Sequence, residues 1–418
     1  MYRILNLRNI VIKILVFCYF PLYFITYEIS KTVNINHGII FITVAGIYLL
    51  FSFVLLYEII AFHKKLIINS LFIPYLFFTF LSFLVPDSKG IDIPSFIIIS
   101  SSFIFFFLLV SANDKNELAS IFRTLELSIF FCFFLFFIPL SLKGSFTVGG
   151  FYGITKIPFI NTSLDPPLLT GILFLWVFIN LENSLKNKKL SVIIFQFAAL
   201  IFFGAVMMVM SRRGPLLFAL FLIIYILKPK IFANKVVLIV MVSFMVLPII
   251  FWKYIIIIFE KIPSNLIESM FRESSMNSFV TASNRLDRWM HAPELVTHFK
   301  LKNLIFNYNI LDSYFKSKGP YGHFHNGFLQ LTYETGVINL IVTILLVYYT
   351  FLKINNLNIN YRNNTTIMKI SIIFLYILIL SMTESTFRNN KFSHQIFLVS
   401  ILFIDRLHLL SKENLLTK

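Results

Sequence analysis

The chain has 418 residues, 58% of them hydrophobic and 13% charged, with a mean hydropathy of +0.84. That excludes a water-soluble globular domain, in which about a quarter of the residues carry charge. The net charge of +17 fits cytoplasmic loops and anionic lipid headgroups better than nucleic acid.

The apolar runs are continuous rather than alternating. A bilayer admits only helices or closed barrels, because backbone groups there must pair internally. The expected fold is therefore an all-α polytopic membrane protein. Met1–Asn9 carries Arg3 and Arg8 ahead of the first run, and no small-residue cleavage site follows, so Ile10–Ile29 is expected to be a retained helix. A span takes roughly 20 apolar residues, and length and loop punctuation predict about twelve. After the first come His37–Phe62, Leu66–Val85, Pro94–Ala112, Phe122–Leu142 and Leu164–Leu181. Then follow Leu190–Met210, Pro215–Leu227, Val236–Trp252, Gly327–Leu352, Met368–Met382 and Phe392–Ile404. Residues 1–252 thus hold nine spans, 253–326 form an outer loop domain, and 327–418 hold three spans and a tail. Cys18 and Cys132 both lie in apolar runs and read as packing residues, without a disulfide or a metal cluster.

Charge orients the spans. Alternate loops hold Lys64, Lys65, Lys115, Lys186, Lys188, Lys189, Lys228, Lys230, Lys235, Lys353 and Arg362, and both termini fall on that side. The positive-inside rule makes it cytoplasmic. The opposite face then receives every unusual polar cluster: Lys143–Asn161, Ser211–Gly214, the long Lys253–Thr332 segment and Glu384–Lys391. Glu58 and Glu126 read as capping or pairing groups near the cytoplasmic side.

Three clusters on the outer face could carry chemistry. In Ser211-Arg212-Arg213-Gly214-Pro215, two arginines sit at an outer helix junction against the charge rule. Pro215 suits a first helical turn, which places the arginines near a positive helix end. Guanidinium forks match phosphate oxygens; the same arginines could equally snorkel to lipid phosphates. In Asn284–Trp289, the residues Arg285, Arg288 and Trp289 share one face of a helix, and an amphipathic surface helix is the plainer reading. In Tyr321–Gly327, His323, His325 and Asn326 stand at the head of a span. A neutral imidazole there can accept a proton from a sugar hydroxyl, or simply bond to backbone. A metal at the His-x-His pair lacks further ligands at sensible spacing. Ser381–Ser385 adds Glu384 where a span exits, and Gly149–Tyr152 with Asn161–Pro167 forms a further outer loop.

Together these residues resemble the O-antigen ligase and polysaccharide polymerase superfamily of bacterial inner-membrane proteins. Ser-Arg-x-Gly matches Ser211, Arg212 and Gly214, and Arg-x-x-x-Trp matches Arg285 and Trp289. His-Asn, nine residues and Gly match His325, Asn326 and Gly336. Thr-Glu-Ser matches Thr383–Ser385. The likeness runs from about Gly149 to the C-terminus. It departs at Asn339, where such families often have a second glycine, and at Leu304–Asn309, where a Gly-rich turn is usual.

The resemblance implies a helical glycosyltransferase of the lipid-linked-donor (GT-C type) class, with the outer loop folded over the site. It implies a glycan donor on undecaprenyl pyrophosphate, no cofactor and no metal, and a chain-length regulator as a further partner. Arg212 and Arg285 would clamp the pyrophosphate with Arg213 or Arg288 helping. His325 would activate the acceptor hydroxyl, and Asn326 would orient it or the sugar. Trp289, His323 and Glu384 would complete the substrate site. The acceptor separates two enzyme readings: a lipid-linked repeat unit for a polymerase, which is preferred, or lipid A core for a ligase. A reading of another class is a flippase or carrier. Carriers place polar groups on broken helices at mid-membrane, whereas these spans read as almost empty of charge.

Overall fold

The computed structural model describes residues 8–21, 37–62, 71–84, 93–142, 165–187, 190–210, 326–360, 364–383 and 392–416. All secondary structure among them is helical, with no strand. In chain order the helices are α1 (residues 8–21), α2 (His37–Ala61), α3 (Phe72–Leu84), α4 (Ile93–Ala112) and α5 (Lys115–Leu142). They continue as α6 (Asp165–Asn187), α7 (Leu190–Met210), α8 (Gly327–Asn360), α9 (Thr365–Thr383) and α10 (Phe392–Leu416). Each coincides with an expected span. The expected spans Pro215–Leu227 and Val236–Trp252 lie outside the described residues, as does the outer loop except for its last residue, Asn326.

Among the described residues five helices are long and apolar enough to cross a membrane: Ile42–Ala61, Lys115–Leu135, Leu168–Leu185, Gly327–Leu357 and Ser393–Lys412. Ser100–Ala112, Leu190–Val206 and Thr365–Ser381 are apolar but shorter. The chain is a helical, membrane-embedded protein.

Local chemistry sets where several helices start. Asp114 Oδ1 accepts the backbone N–H groups of Asn116 and Glu117 at 2.9 Å, while Glu117 Oε2 accepts from Asp114 N at 3.3 Å. This reciprocal capping box opens α5. Asn364 Oδ1 caps α9 through Thr366 N and Ile367 N. Such caps satisfy backbone donors that have no partner inside the helix.

The centre of the bundle is α10. Its span Ser393–Lys412 is 83% buried within the protein, against 33% for Ile42–Ala61 in α2. It packs on α9, α8 and α4, while α2 lies against α4, and α6 against α7, α9 and α5. Phenylalanines fill the contacts: Phe374 stacks on Phe397 with ring centres 5.5 Å apart, and Phe122 meets the edges of Trp176 and Phe403. Others, such as Phe53 and Phe195, are exposed where lipid would lie. Cys132 is buried in this core, and both cysteines are free thiols.

Ion pairs gather toward one end of the bundle. Arg8 of α1 forks onto Glu58 of α2, Lys369 of α9 bonds Glu126 of α5, and Lys353 of α8 meets Asp405 of α10 at 2.6 Å. Arg406 donates through Nε and Nη2 to the Asn113 carbonyl at 3.2 Å, satisfying the C-terminal end of α4. Arg8, Glu126 and Lys369 lie in the first halves of α1, α5 and α9, and Glu58, Lys353 and Asp405 in the second halves of α2, α8 and α10. That fits a chain that passes up and down, and both glutamates are paired as expected.

Candidate functional site

The most polar part of the described bundle is the head of α8. Asn326, Gln330, Thr332, Glu334, Thr335 and Asn339 are all buried. In a helix crossing hydrocarbon, such residues are costly and mark function by default.

Asn326 opens the helix. Its Oδ1 accepts the backbone N–H groups of Phe328 and Leu329, both at 3.0 Å. One turn on, Gln330 Nε2 donates to Glu334 Oε1 at 2.8 Å. Thr332 and Thr335 donate their hydroxyls back to the carbonyls of Phe328 and Leu331, a pattern that bends helices.

Gly336 then breaks the helix. Its φ of 82° and ψ of 171° fall in a region open essentially to glycine alone. The break divides two environments. Residues 326–336 are buried at every position, whereas beyond it Ile341, Leu345 and Tyr349 are exposed. The stretch from Asn326 to Gly336 is therefore a protein-encased helical segment rich in polar groups, about three turns long, and the remainder of α8 is an ordinary spanning helix with a face toward lipid.

Neighbouring helices supply more buried polar groups at this level. Tyr75 of α3 hydrogen-bonds His394 of α10, and Asn339 Nδ2 reaches Thr79 of α3 at 3.3 Å. Tyr19 of α1 meets Gln395 of α10 at 2.9 Å and Ser102 of α4 at 3.3 Å. Asn339 precedes Lys353 by fourteen residues and His394 precedes Asp405 by eleven, or about 21 and 16 Å of helix. The uncharged polar network thus occupies the part of the bundle remote from the ion pairs.

Of the sequence-predicted site residues, Asn326 is described and has a defined job, the cap of α8. Arg212, Arg213, Arg285, Arg288, Trp289, His323, His325 and Glu384 lie outside the described residues. Sequence reasoning passed over Glu334, Gln330, Tyr75 and His394. Glu334 is one acid inside α8, in spans read as almost empty of charge. The signal was present, since a carboxyl within a 31-residue apolar span is itself an alert.

Comparison with known proteins finds no matching family model, no matching characterised protein and no matching solved structure.

Proposed function

We propose that this chain is an integral-membrane glycosyltransferase that moves a glycan from undecaprenyl pyrophosphate to a saccharide hydroxyl, most simply as a polymerase of a surface polysaccharide. The observation that carries this reading is the form of α8. Two of the residues expected to mark the acceptor side, Asn326 and Gly336, are a helix cap and a helix break that bound one buried polar segment. Arginines on a departing pyrophosphate supply the other half of the chemistry: charge grows on phosphate oxygens in the transition state, and preorganised guanidinium groups there are worth several kcal/mol. In this reading the ion-paired end faces the cytoplasm with both termini, twelve spans cross the bacterial inner membrane, and the head of α8 faces the periplasm.

Reconstitution with lipid-linked repeat units, with and without lipid A core, tests the proposal. Lengthened lipid-linked chains identify a polymerase and core-attached glycan a ligase. Glycan that reaches neither acceptor sinks both.

A second reading draws on Glu334. A buried carboxyl two residues before a break in a spanning helix is also how carriers build ion-coupled sites. A flippase would move labelled lipid-linked glycan across a sealed vesicle without lengthening it. The transferase is favoured because the cap and the break of α8 fall at the motif positions Asn326 and Gly336.

A further inference from the structure

The break at Gly336 is surrounded by side-chain hydrogen bonds that run through three helices. His394 of α10 bonds Tyr75 of α3. Thr79 lies one turn along the same helix, and its side chain interacts with that of Tyr75. Thr79 Oγ1 accepts from Asn339 Nδ2 at 3.3 Å, and that nitrogen also donates to Thr335 Oγ1 at 2.9 Å. Thr335 and Asn339 stand on opposite sides of Gly336. All five side chains are fully buried. The neighbour of His394, Gln395, is tied through Tyr19 to α1 and α4. The side-chain contacts therefore run from α10 and α3 to the two lips of the break, and α10 is tied beside them to α1 and α4.

A glycine in an extended, positive-φ conformation supplies no restoring force of its own. The direction of the segment before it must be set by contacts. Apolar packing against residues 326–336 resists displacement but is indifferent to small rotations. Hydrogen bonds of fixed length inside a low-dielectric bundle are not.

We propose that Tyr75, Thr79, Asn339 and His394 are positioning residues. Their hydrogen-bonded brace holds the break at Gly336 in one geometry and so fixes the Asn326–Thr335 segment against the bundle. This inference rests on the transferase reading for its catalytic consequence, because His325 directly precedes the capped Asn326 in the chain. A misplacement of about 1 Å at such a segment can cost on the order of 100-fold in rate. The brace itself does not depend on that reading.

Thr79 and Tyr75 allow a clean test. Thr79→Val and Tyr75→Phe each remove one hydroxyl at nearly constant shape, whereas Thr79→Ser keeps it. In purified protein in nanodiscs, amide hydrogen exchange over residues 327–338 is expected to rise in Thr79→Val and Tyr75→Phe. It should stay at the native level in Thr79→Ser, and the α9 and α10 peptides should be unchanged in all three. In the glycan-transfer assay, kcat falls roughly 10- to 100-fold in the first two variants. KM for the lipid-linked donor stays within twofold, and Thr79→Ser restores kcat. A merely destabilised protein would instead lose thermal stability and show raised exchange throughout. Unchanged exchange over 327–338 in both hydroxyl-deletion variants overturns the brace, as does failure of Thr79→Ser to restore it. If the wild type transfers no glycan, the transferase reading fails, and exchange alone still decides the brace.

Discussion

Asn339 Nδ2 donates to Thr335 Oγ1 at 2.9 Å, four residues back and on the far side of the break at Gly336. A helix interrupted at one residue gives up local backbone bonds that hydrocarbon cannot replace, and here a side-chain amide spans the interruption. At Asn339 the chain departs from the pattern of two glycines that the resembling families often show. The structure gives that departure a task.

Gly336→Ala is the sharpest probe of the break. A φ of 82° with ψ of 171° costs a residue bearing a Cβ about 1–3 kcal/mol. The variant should melt at lower temperature in detergent. It should also lose most glycan transfer, because relieving the strain means straightening the helix and swinging its polar head. A variant with native melting and native transfer would show that the break has no importance.

Asn326 separates a cap from a contact. Its Oδ1 is committed to two backbone donors, so any hydrogen bond it donates to a sugar falls to Nδ2. Asn326→Ala should lose about 1 kcal/mol of stability with the cap. Asn326→Ser caps nearly as well but has no amide. Native melting with transfer reduced at least tenfold in Asn326→Ser is the expected result. Native transfer in that variant would confine Asn326 to capping.

Helix packing yields a matched pair of glycine tests. A methyl group at Gly171 of α6 would overlap the buried Tyr376 phenol of α9, whereas one at Gly46 of α2 meets nothing within 4 Å. Small residues of this kind let membrane helices approach closely. Gly171→Ala should cost about 1–3 kcal/mol through overpacking. Gly46→Ala should be neutral or gain up to about 1 kcal/mol from helix propensity. Thermal unfolding of the two variants in one detergent reads the contrast directly, and equal melting temperatures would contradict the α6–α9 fit.

Much of the helical framework was legible because its physics is local. Continuous apolar runs dictated the spans, and Leu190–Met210 was placed to the residue. Caps such as Asp114-x-x-Glu117 carry their own signature. Helix ends ran further than hydropathy predicts where charged residues pair inside the bundle. Lys353 and Asp405 extend α8 and α10 beyond their apolar stretches because each neutralises the other. The network of His394, Tyr75, Thr79 and Asn339 was not legible, since its members come from three helices far apart in sequence. Gly336 was visible as a motif position, but its role as a break needed the backbone. Glu334 was legible and was passed over: hydropathy averages one acid away inside an apolar window.

The arginine and histidine assignments predict a distinct kinetic pattern. Arg212→Ala and His325→Ala should each abolish transfer while leaving membrane insertion intact. Arg212→Lys should fail in part, because an ammonium cannot fork two phosphate oxygens. Full activity in both alanine variants would remove the mechanism, whatever the form of α8.

Glu334 distinguishes the enzyme from the carrier. Its Oε1 accepts from Gln330, and a glutamine can supply that oxygen equally well. In a transferase whose base is His325, Glu334→Gln should therefore keep glycan transfer within a few-fold of native. In a carrier the carboxyl would bind and release the coupling ion. The same change would then uncouple transport, since an amide neither titrates nor neutralises a cation. Measured side by side in sealed proteoliposomes, retained transfer with no ion-dependent glycan movement in either protein supports the enzyme. Ion-driven movement in the native protein that vanishes in Glu334→Gln, with no elongation or transfer in either, would make this chain a carrier and the resemblance in its arginine and histidine motifs a coincidence.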